Sequence, residues 1–194
     1  MINHRLAERH IILASQSPRR QYLLKELGID FEIRPSHVVE DFPEGLLPEK
    51  VALFLAELKA NSFDLSRMDE KQIIITADTI VELNQEILGK PANYTEAVKM
   101  LQKLSDKTHH VITAVCLQSK TKRKSFYVRS SVTFKALSME EIDYYIDNFQ
   151  PFDKAGGYGV QEWIGYIGIS KIEGSFFNVM GLPVKELYEE LLKF

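Results

Sequence analysis

Several features that mark whole protein classes are scarce or missing in this chain. It has one cysteine, Cys116. A single thiol can form neither an intrachain disulfide nor a multi-cysteine metal centre, and it fits a reducing cytoplasm. No apolar run approaches the roughly 20 residues that a membrane-spanning helix needs. Met1 to His10 contain no apolar signal-peptide core. The net charge is only −3, which argues against broad electrostatic binding to nucleic acid. There is no Walker A sequence and no nucleophile elbow. The glycines of Gly156 to Gln161 do not follow the dinucleotide fingerprint. The expectation is a cytoplasmic protein with no membrane and no nucleic-acid partner.

What is present is an ordinary globular composition, 45% hydrophobic and 26% charged over 194 residues. That suffices for one sizeable core, or one core with two lobes. Near the N-terminus, Ile11-Ile12-Leu13 reads as a buried strand. The loop Ala14-Ser15-Gln16-Ser17 leads from it into a helical pattern, Tyr22, Leu23, Leu24 and Leu27, closed by Gly28. Ser17 suits the N-cap and Pro18 the first helical position. Gly28 suits the left-handed residue after the last turn. Arg19 and Arg20 stand in the first turn, against the positive end of the helix dipole, where acids are preferred. An anion would compensate: helix N–H groups, the hydroxyls of Ser15 and Ser17, and two guanidinium groups together can cradle phosphate. The alternative is that both arginines point into water or pair with surface acids.

Further along, Phe31 to Arg34 reads as a short strand, and Pro35 to Pro48 as a polar connection. Glu40 in that connection is either a metal ligand or a solvated loop acid. Pro48 opens a helix whose apolar face is Val51, Leu55 and Leu58, with Lys59 at its edge, by itself a surface lysine. Ile73-Ile74-Ile75 suits a strand buried on both faces and ending at Thr76 to Thr79. An acid there, Asp78, is costly to bury unpaired, and ligands of open α/β sheets bind at strand ends. Asn84-Gln85 reads as a hairpin turn. Lys90, in Gly89-Lys90-Pro91, can offer a point charge to phosphate.

Asn93 with Glu96, and Ser138 with Glu141, resemble capping boxes; Met139, Ile142 and Ile146 form the inward face of the second helix. Thr108 to Gln118 and Lys124 to Lys135 pattern as a hairpin of two long strands. His109 and His110 are adjacent and face opposite sides of their strand, so they read as structural. Lys154 and Gln161 flank a glycine-rich turn. Ile164 to Ile172 reads as a strand, Gly174 to Pro183 as a constrained loop, and Pro183 to Leu192 as a closing helix. The pattern predicts an α/β fold with a mixed, bent central sheet and flanking helices, in two lobes around a cleft.

Together, many cations beside a few acids suit polyphosphate hydrolysis. Cations neutralise phosphate oxygens, acids hold Mg²⁺, and one acid can activate water. At this point the chain resembles the Maf family of nucleotide pyrophosphatases, over nearly its whole length. The carriers are Ser15-Gln16-Ser17-Pro18-Arg19-Arg20, Ala77-Asp78-Thr79, Gly89-Lys90-Pro91, Val111-Ile112-Thr113, Lys154-Ala155-Gly156 with Tyr158 to Gln161, and Asn178 to Pro183. One departure is Ser105-Asp106-Lys107, where the family has a Ser-Gly-basic turn.

The resemblance implies a single Maf-like domain over residues 1–194, with an ITPase-like fold. It implies hydrolysis of nucleoside triphosphates, dTTP and UTP before others, to monophosphate and pyrophosphate, in a role such as clearing modified pyrimidine nucleotides. A divalent cation, Mg²⁺ or Mn²⁺, is implied, as is a homodimer. Asp78 is implied as proton acceptor and, with Glu40, as metal ligand. Arg19, Thr79 and Gln161 are implied to set base preference. Ser15, Ser17, Arg20, Lys59, Lys90 and Lys154 form the expected phosphate-binding set, with Tyr158 closing the base pocket. The rival reading is a nucleotide-sensing regulator of division that does not turn nucleotide over.

Overall fold

The structure, a computed structural model, describes residue 6 and residues 8–194. Among the described residues, seven strands form one mixed sheet: β1 (His10–Leu13), β2 (Phe31–Ile33), β3 (Gln72–Leu83), β4 (Glu86–Leu88), β5 (Thr108–Gln118), β6 (Arg123–Phe134) and β7 (Ile169–Glu173). Their order is β2-β1-β3-β5-β6-β7, with β4 paired to β3. The helices are α1 (Pro18–Glu26), α2 (Pro48–Asn61), α3 (Tyr94–Leu104), α4 (Met139–Phe149), α5 (Trp163–Gly168), α6 (Phe176–Met180) and α7 (Val184–Leu191). The mixed α/β class expected from the sequence is the one observed. No described helix is long and apolar enough to cross a membrane.

The chain divides into two compact units. The first comprises the described residues up to Asp78, with Thr113–Val128 and Gly181–Phe194. Here β1 lies parallel to both β2 and β3, pairing Ile11 with Phe31 and Ile73, and Leu13 with Ile75. Ile11 to Leu13 and Ile73 to Ile75 are almost wholly buried. That is why both read as continuous β-branched or aliphatic runs rather than alternating ones. The second unit comprises Thr79–Ile112 and Arg129–Met180. Its core joins Val81, Leu101, Leu104, Val132, Phe134, Ile142, Tyr145, Ile146 and Ile164. The Asn84-Gln85 turn has both central residues at positive φ, 52° and 69°, the type I′ geometry that matches strand twist.

Several local expectations need correction. β3 does not stop at Thr76; it runs through Asp78 to Leu83. What ends near there is its parallel pairing with β1, at Ile75. Residues 163–168 are helical, and only Ile169–Glu173 is strand. The run Ile164-Gly165-Tyr166-Ile167 has β-forming isoleucine and tyrosine, but Gly165 and Gly168 weaken the strand pattern, and the short helix buries only Ile164 and Gly168. A further short helix, α6, lies inside the expected Gly174 to Pro183 loop. Met139 is exposed, and Tyr145 takes its place on the inward face of α4. The capping box of Ser138 and Glu141 is present in full.

The two histidines face opposite sides, as expected. His109 is fully buried, its Nε2 2.7 Å from the Tyr158 hydroxyl and its ring stacked on Phe134. His110 is half-exposed and meets the buried carboxylate of Glu82 at 2.9 Å. Tyr158 is thus buried in the core beside His109 rather than standing open as a pocket wall. Burial, with a smaller push from His110, lowers the His109 pKa to about 3. His109 therefore stays neutral in the folded chain while it protonates near pH 6.5 when unfolded. The sign follows: its contribution to stability is complete above pH 6.5 and is lost as pH falls toward 3. Between pH 7 and pH 5.5 the wild type should lose about 1 kcal/mol more unfolding free energy than His109→Gln. Equal pH slopes in urea denaturation of the two proteins would refute this.

Candidate active site

In the first unit a short set of contacts fixes one buried ion pair. Thr76 donates its hydroxyl to the Ala56 carbonyl at 2.6 Å, tying β3 to α2. Two residues on, the same face of the strand carries Asp78; three residues on, the same face of the helix carries Lys59. Lys59 Nζ lies 2.5 Å from Asp78 Oδ1 and 3.0 Å from Glu40 Oε1. Lys59 and Asp78 are 8% and 6% exposed, so neither charge can rely on water. Read by itself, Lys59 suggests a surface lysine; the strand opposite supplies the charge that lets it be buried. Its place in the last turn of α2 also suits a cation beside the negative end of the helix dipole.

The loop after β1 is built around Ser15. Its Oγ accepts the Ser17 N–H at 3.2 Å and an Arg20 Nη1–H at 3.4 Å. Ser17 occupies the N-cap and Pro18 the first helical position, but the Ser17 side chain makes no cap bond. Its own N–H is held by Ser15 instead. Arg20 donates from Nε to the Gly181 carbonyl at 2.8 Å. Burial lowers the Arg20 pKa, and the Asp78 and Glu40 carboxylates pull it back up while Arg19 adds repulsion. The guanidinium remains charged, as arginine does in proteins. The protein therefore compensates the first-turn arginine in part with a carbonyl and nearby acids.

The remaining expected site residues belong to the second unit. Thr79 is partly exposed on β3, and Lys90 is exposed after β4. Lys154 is buried, its Nζ 2.7 Å from Asp153 Oδ1 and 3.1 Å from Glu162 Oε1. Gln161 is partly exposed, yet its Oε1 is buried without a hydrogen-bond partner among the described residues. Glu162 and Tyr145, which the sequence did not single out, surround this stretch. The Tyr145 hydroxyl donates to Glu162 Oε2 and accepts the Gly159 N–H at 2.9 Å. A tyrosine one place from the predicted α4 face was the only signal for it; Glu162 had none.

Among the described residues, no three His, Cys, Asp or Glu side chains stand together as a metal cluster. Glu40 Oε1 and Asp78 Oδ1 both reach the Lys59 ammonium, which fills the point between them, so a metal would be held by their remaining oxygens. Two carboxylates completed by substrate phosphates are a donor set that suits Mg²⁺ or a similar hard divalent cation.

The fold and these contacts define an α/β protein with a mixed sheet, a buried pair of Lys59 on α2 with Asp78 on β3, and arginines in the first turn of α1 after β1. The chain belongs to the Maf family: residues 10–194 match the family described as Maf-like protein. It is 52% identical over 186 residues to a dTTP/UTP pyrophosphatase of Porphyromonas gingivalis, covering 95% of this chain and 94% of that one. A protein of the same name from Flavobacterium psychrophilum is 48% identical over 192 residues, covering 99% and 98%. Among solved structures, the Ham1 protein of Staphylococcus aureus aligns with a TM-score of 0.42 at 19% identity, over 65% of this chain and 72% of that one.

The buried pair has a testable energetic signature. Lys59→Met leaves Asp78 without its cation and should cost about 3 kcal/mol of unfolding free energy. Adding Asp78→Asn removes the stranded charge, so the double variant should recover part of that loss. A Lys59→Met protein as stable as wild type would show that the pair is not buried as described.

Proposed function

We propose that this protein hydrolyses nucleoside triphosphates to nucleoside monophosphate and pyrophosphate, with dTTP and UTP as its best common substrates. The observation that carries the reading is near-full-length similarity to proteins named dTTP/UTP pyrophosphatase. The side chains on β3 and in the loop after β1 supply the chemistry such a reaction needs. Water adds to the α-phosphorus, its proton passes to Asp78 Oδ2, and the bond from that phosphorus to the bridging oxygen breaks, releasing pyrophosphate. Lys59, bonded to the other Asp78 oxygen, fixes the carboxylate's orientation. Held carboxylates are effective bases because no reorganisation is needed at the moment of reaction.

Arg19, Arg20, Lys90 and the hydroxyls of Ser15 and Ser17 neutralise and orient phosphate oxygens in this reading. Arginine forks match phosphate geometry better than a lysine point charge. Glu40 and Asp78 would hold the divalent cation. When bound, it would neutralise charge on the phosphates as a Lewis acid.

Base choice falls to Gln161, with Arg19 and Thr79. Thymine and uracil present an N–H between two carbonyls. A side-chain amide offers an acceptor and donors that match this edge in two parallel bonds. The buried, unpartnered Gln161 Oε1 supports this role, because it is an acceptor in want of a donor. Cytosine lacks the imide N–H and leaves that oxygen unpaired unless the amide turns over. Sites that hydrogen-bond a substrate group reject analogues lacking it.

A turnover assay across dTTP, UTP, CTP and GTP with purified protein tests the reading. The expected order of kcat/KM places dTTP and UTP well ahead, and Gln161→Glu should erode that lead, because a carboxylate cannot donate to a carbonyl. Asp78→Asn should lower kcat by about 10²–10⁴-fold while the protein remains folded. Equal values for the four wild-type substrates would refute the base assignment. Binding without any turnover would favour the sensing regulator instead.

A further inference from the structure

Gln161 can discriminate only if its amide is presented in one orientation, and the structure holds the surrounding backbone with unusual care. The Glu162 N–H donates to the Gly159 carbonyl at 3.0 Å, closing a four-residue turn with Val160 and Gln161 at its centre. Val160 is buried in the hydrophobic core, which pins one side of the turn. Past the turn, the Glu162 carbonyl accepts the Gly165 N–H at 2.8 Å and starts α5.

The ends of the turn are tied a second time through side chains. The Glu162 carboxylate folds back over Gly159, so closely that a Cβ on Gly159 would lie 2.6 Å from its Cδ. One Tyr145 hydroxyl reaches both ends, donating to Glu162 Oε2 and accepting the Gly159 N–H. Lys154 Nζ holds the other carboxylate oxygen, Oε1. Tyr145 is fully buried and its pKa is pushed up by burial and then by Glu162, so the hydroxyl stays a donor. Gly165 admits no side chain: its Cβ would stand 2.0 Å from the Val160 carbonyl oxygen. These contacts tie the two ends of the turn that carries Val160 and Gln161, and the Gly165 approach packs against the Val160 backbone.

We propose that Tyr145, Glu162 and Lys154 are positioning residues for base selection. They lock the turn that presents Gln161, and they set the preference for the imide edge without touching the nucleotide. The inference rests on the reading of Gln161 given above. It gives the Lys154 charge a task other than phosphate binding: it holds Glu162 in place.

The test compares kcat and KM for dTTP and CTP in wild type, Gln161→Glu, Tyr145→Phe and Glu162→Gln. Tyr145→Phe keeps the ring and removes the shared hydroxyl. Its dTTP-over-CTP ratio of kcat/KM should fall about tenfold, mainly through a higher KM for dTTP, while kcat for dTTP stays within about threefold of wild type. Glu162→Gln still accepts from Tyr145 but loses its charge toward Lys154, and its ratio should fall by a smaller factor. A purely structural role would lower activity on both substrates alike and leave the ratio unmoved; that result in folded Tyr145→Phe and Glu162→Gln overturns the inference. If Tyr145→Phe does not fold, the Glu162→Gln ratio decides. A wild type without dTTP preference, or a Gln161→Glu ratio equal to wild type, overturns the reading of Gln161 and this inference with it. A wild-type preference that Gln161→Glu erodes but both other variants retain overturns the inference alone.

Discussion

A lysine and an aspartate held 2.5 Å apart and almost sealed from water govern the arrangement of the first unit. Taking two charges out of water costs several kcal/mol per ion, and a hydrophobic pair of similar size would often be as stable or more so. The arrangement therefore makes demands on everything near it. Helix α2 must meet β3 in one register, which the Thr76 hydroxyl on the Ala56 carbonyl fixes. β1 must stop at Leu13, opposite Ile75, so that the loop carrying Ser15, and after it the first turn of α1 with Arg20, begins close to the acid-bearing part of β3. The second carboxylate, Glu40, comes from an irregular connection that can reach the ammonium without disturbing either element. Polar groups retained in a core at such cost are expected where chemistry needs them.

The second unit solves a different problem with different means. Its glutamine sits on a turn held by backbone, by a buried valine and by the Lys154–Glu162 ion pair. The turn from Gly159 to Glu162 is closed by a main-chain hydrogen bond, pinned by a buried valine and tied across its ends by one tyrosine hydroxyl. The turn fixes the backbone from which the Gln161 side chain projects. Nearby, Gly156 adopts φ 72°, and a Cβ there would stand 3.0 Å from the Val81 side chain.

Much of this was legible in the sequence, for identifiable reasons. Pro18, Pro48 and Gly28 mark helix ends through backbone constraints that do not depend on tertiary context. The buried strands announce themselves as unbroken aliphatic runs. Asp78 stood out because an acid adjoining such a run has a cost that something must offset. The misreadings share a cause as well. The burial of Lys59 by Asp78 and the engagement of Lys154 by Glu162 depend on how the chain folds back on itself, and β3 runs on into its hairpin with β4 without a break. Local pattern could not supply these contacts. Residues 163–168 failed differently, because a single turn or two of helix and a short strand can have the same apolar composition.

The central claim is that Asp78 directs water to the α-phosphorus of a pyrimidine nucleoside triphosphate. Hydrolysis of dTTP in ¹⁸O-labelled water, followed by mass spectrometry of both products, tests it most directly. The account predicts one labelled oxygen in the thymidine monophosphate and none in the pyrophosphate. Label in the pyrophosphate would place the attack at the β-phosphorus and contradict it.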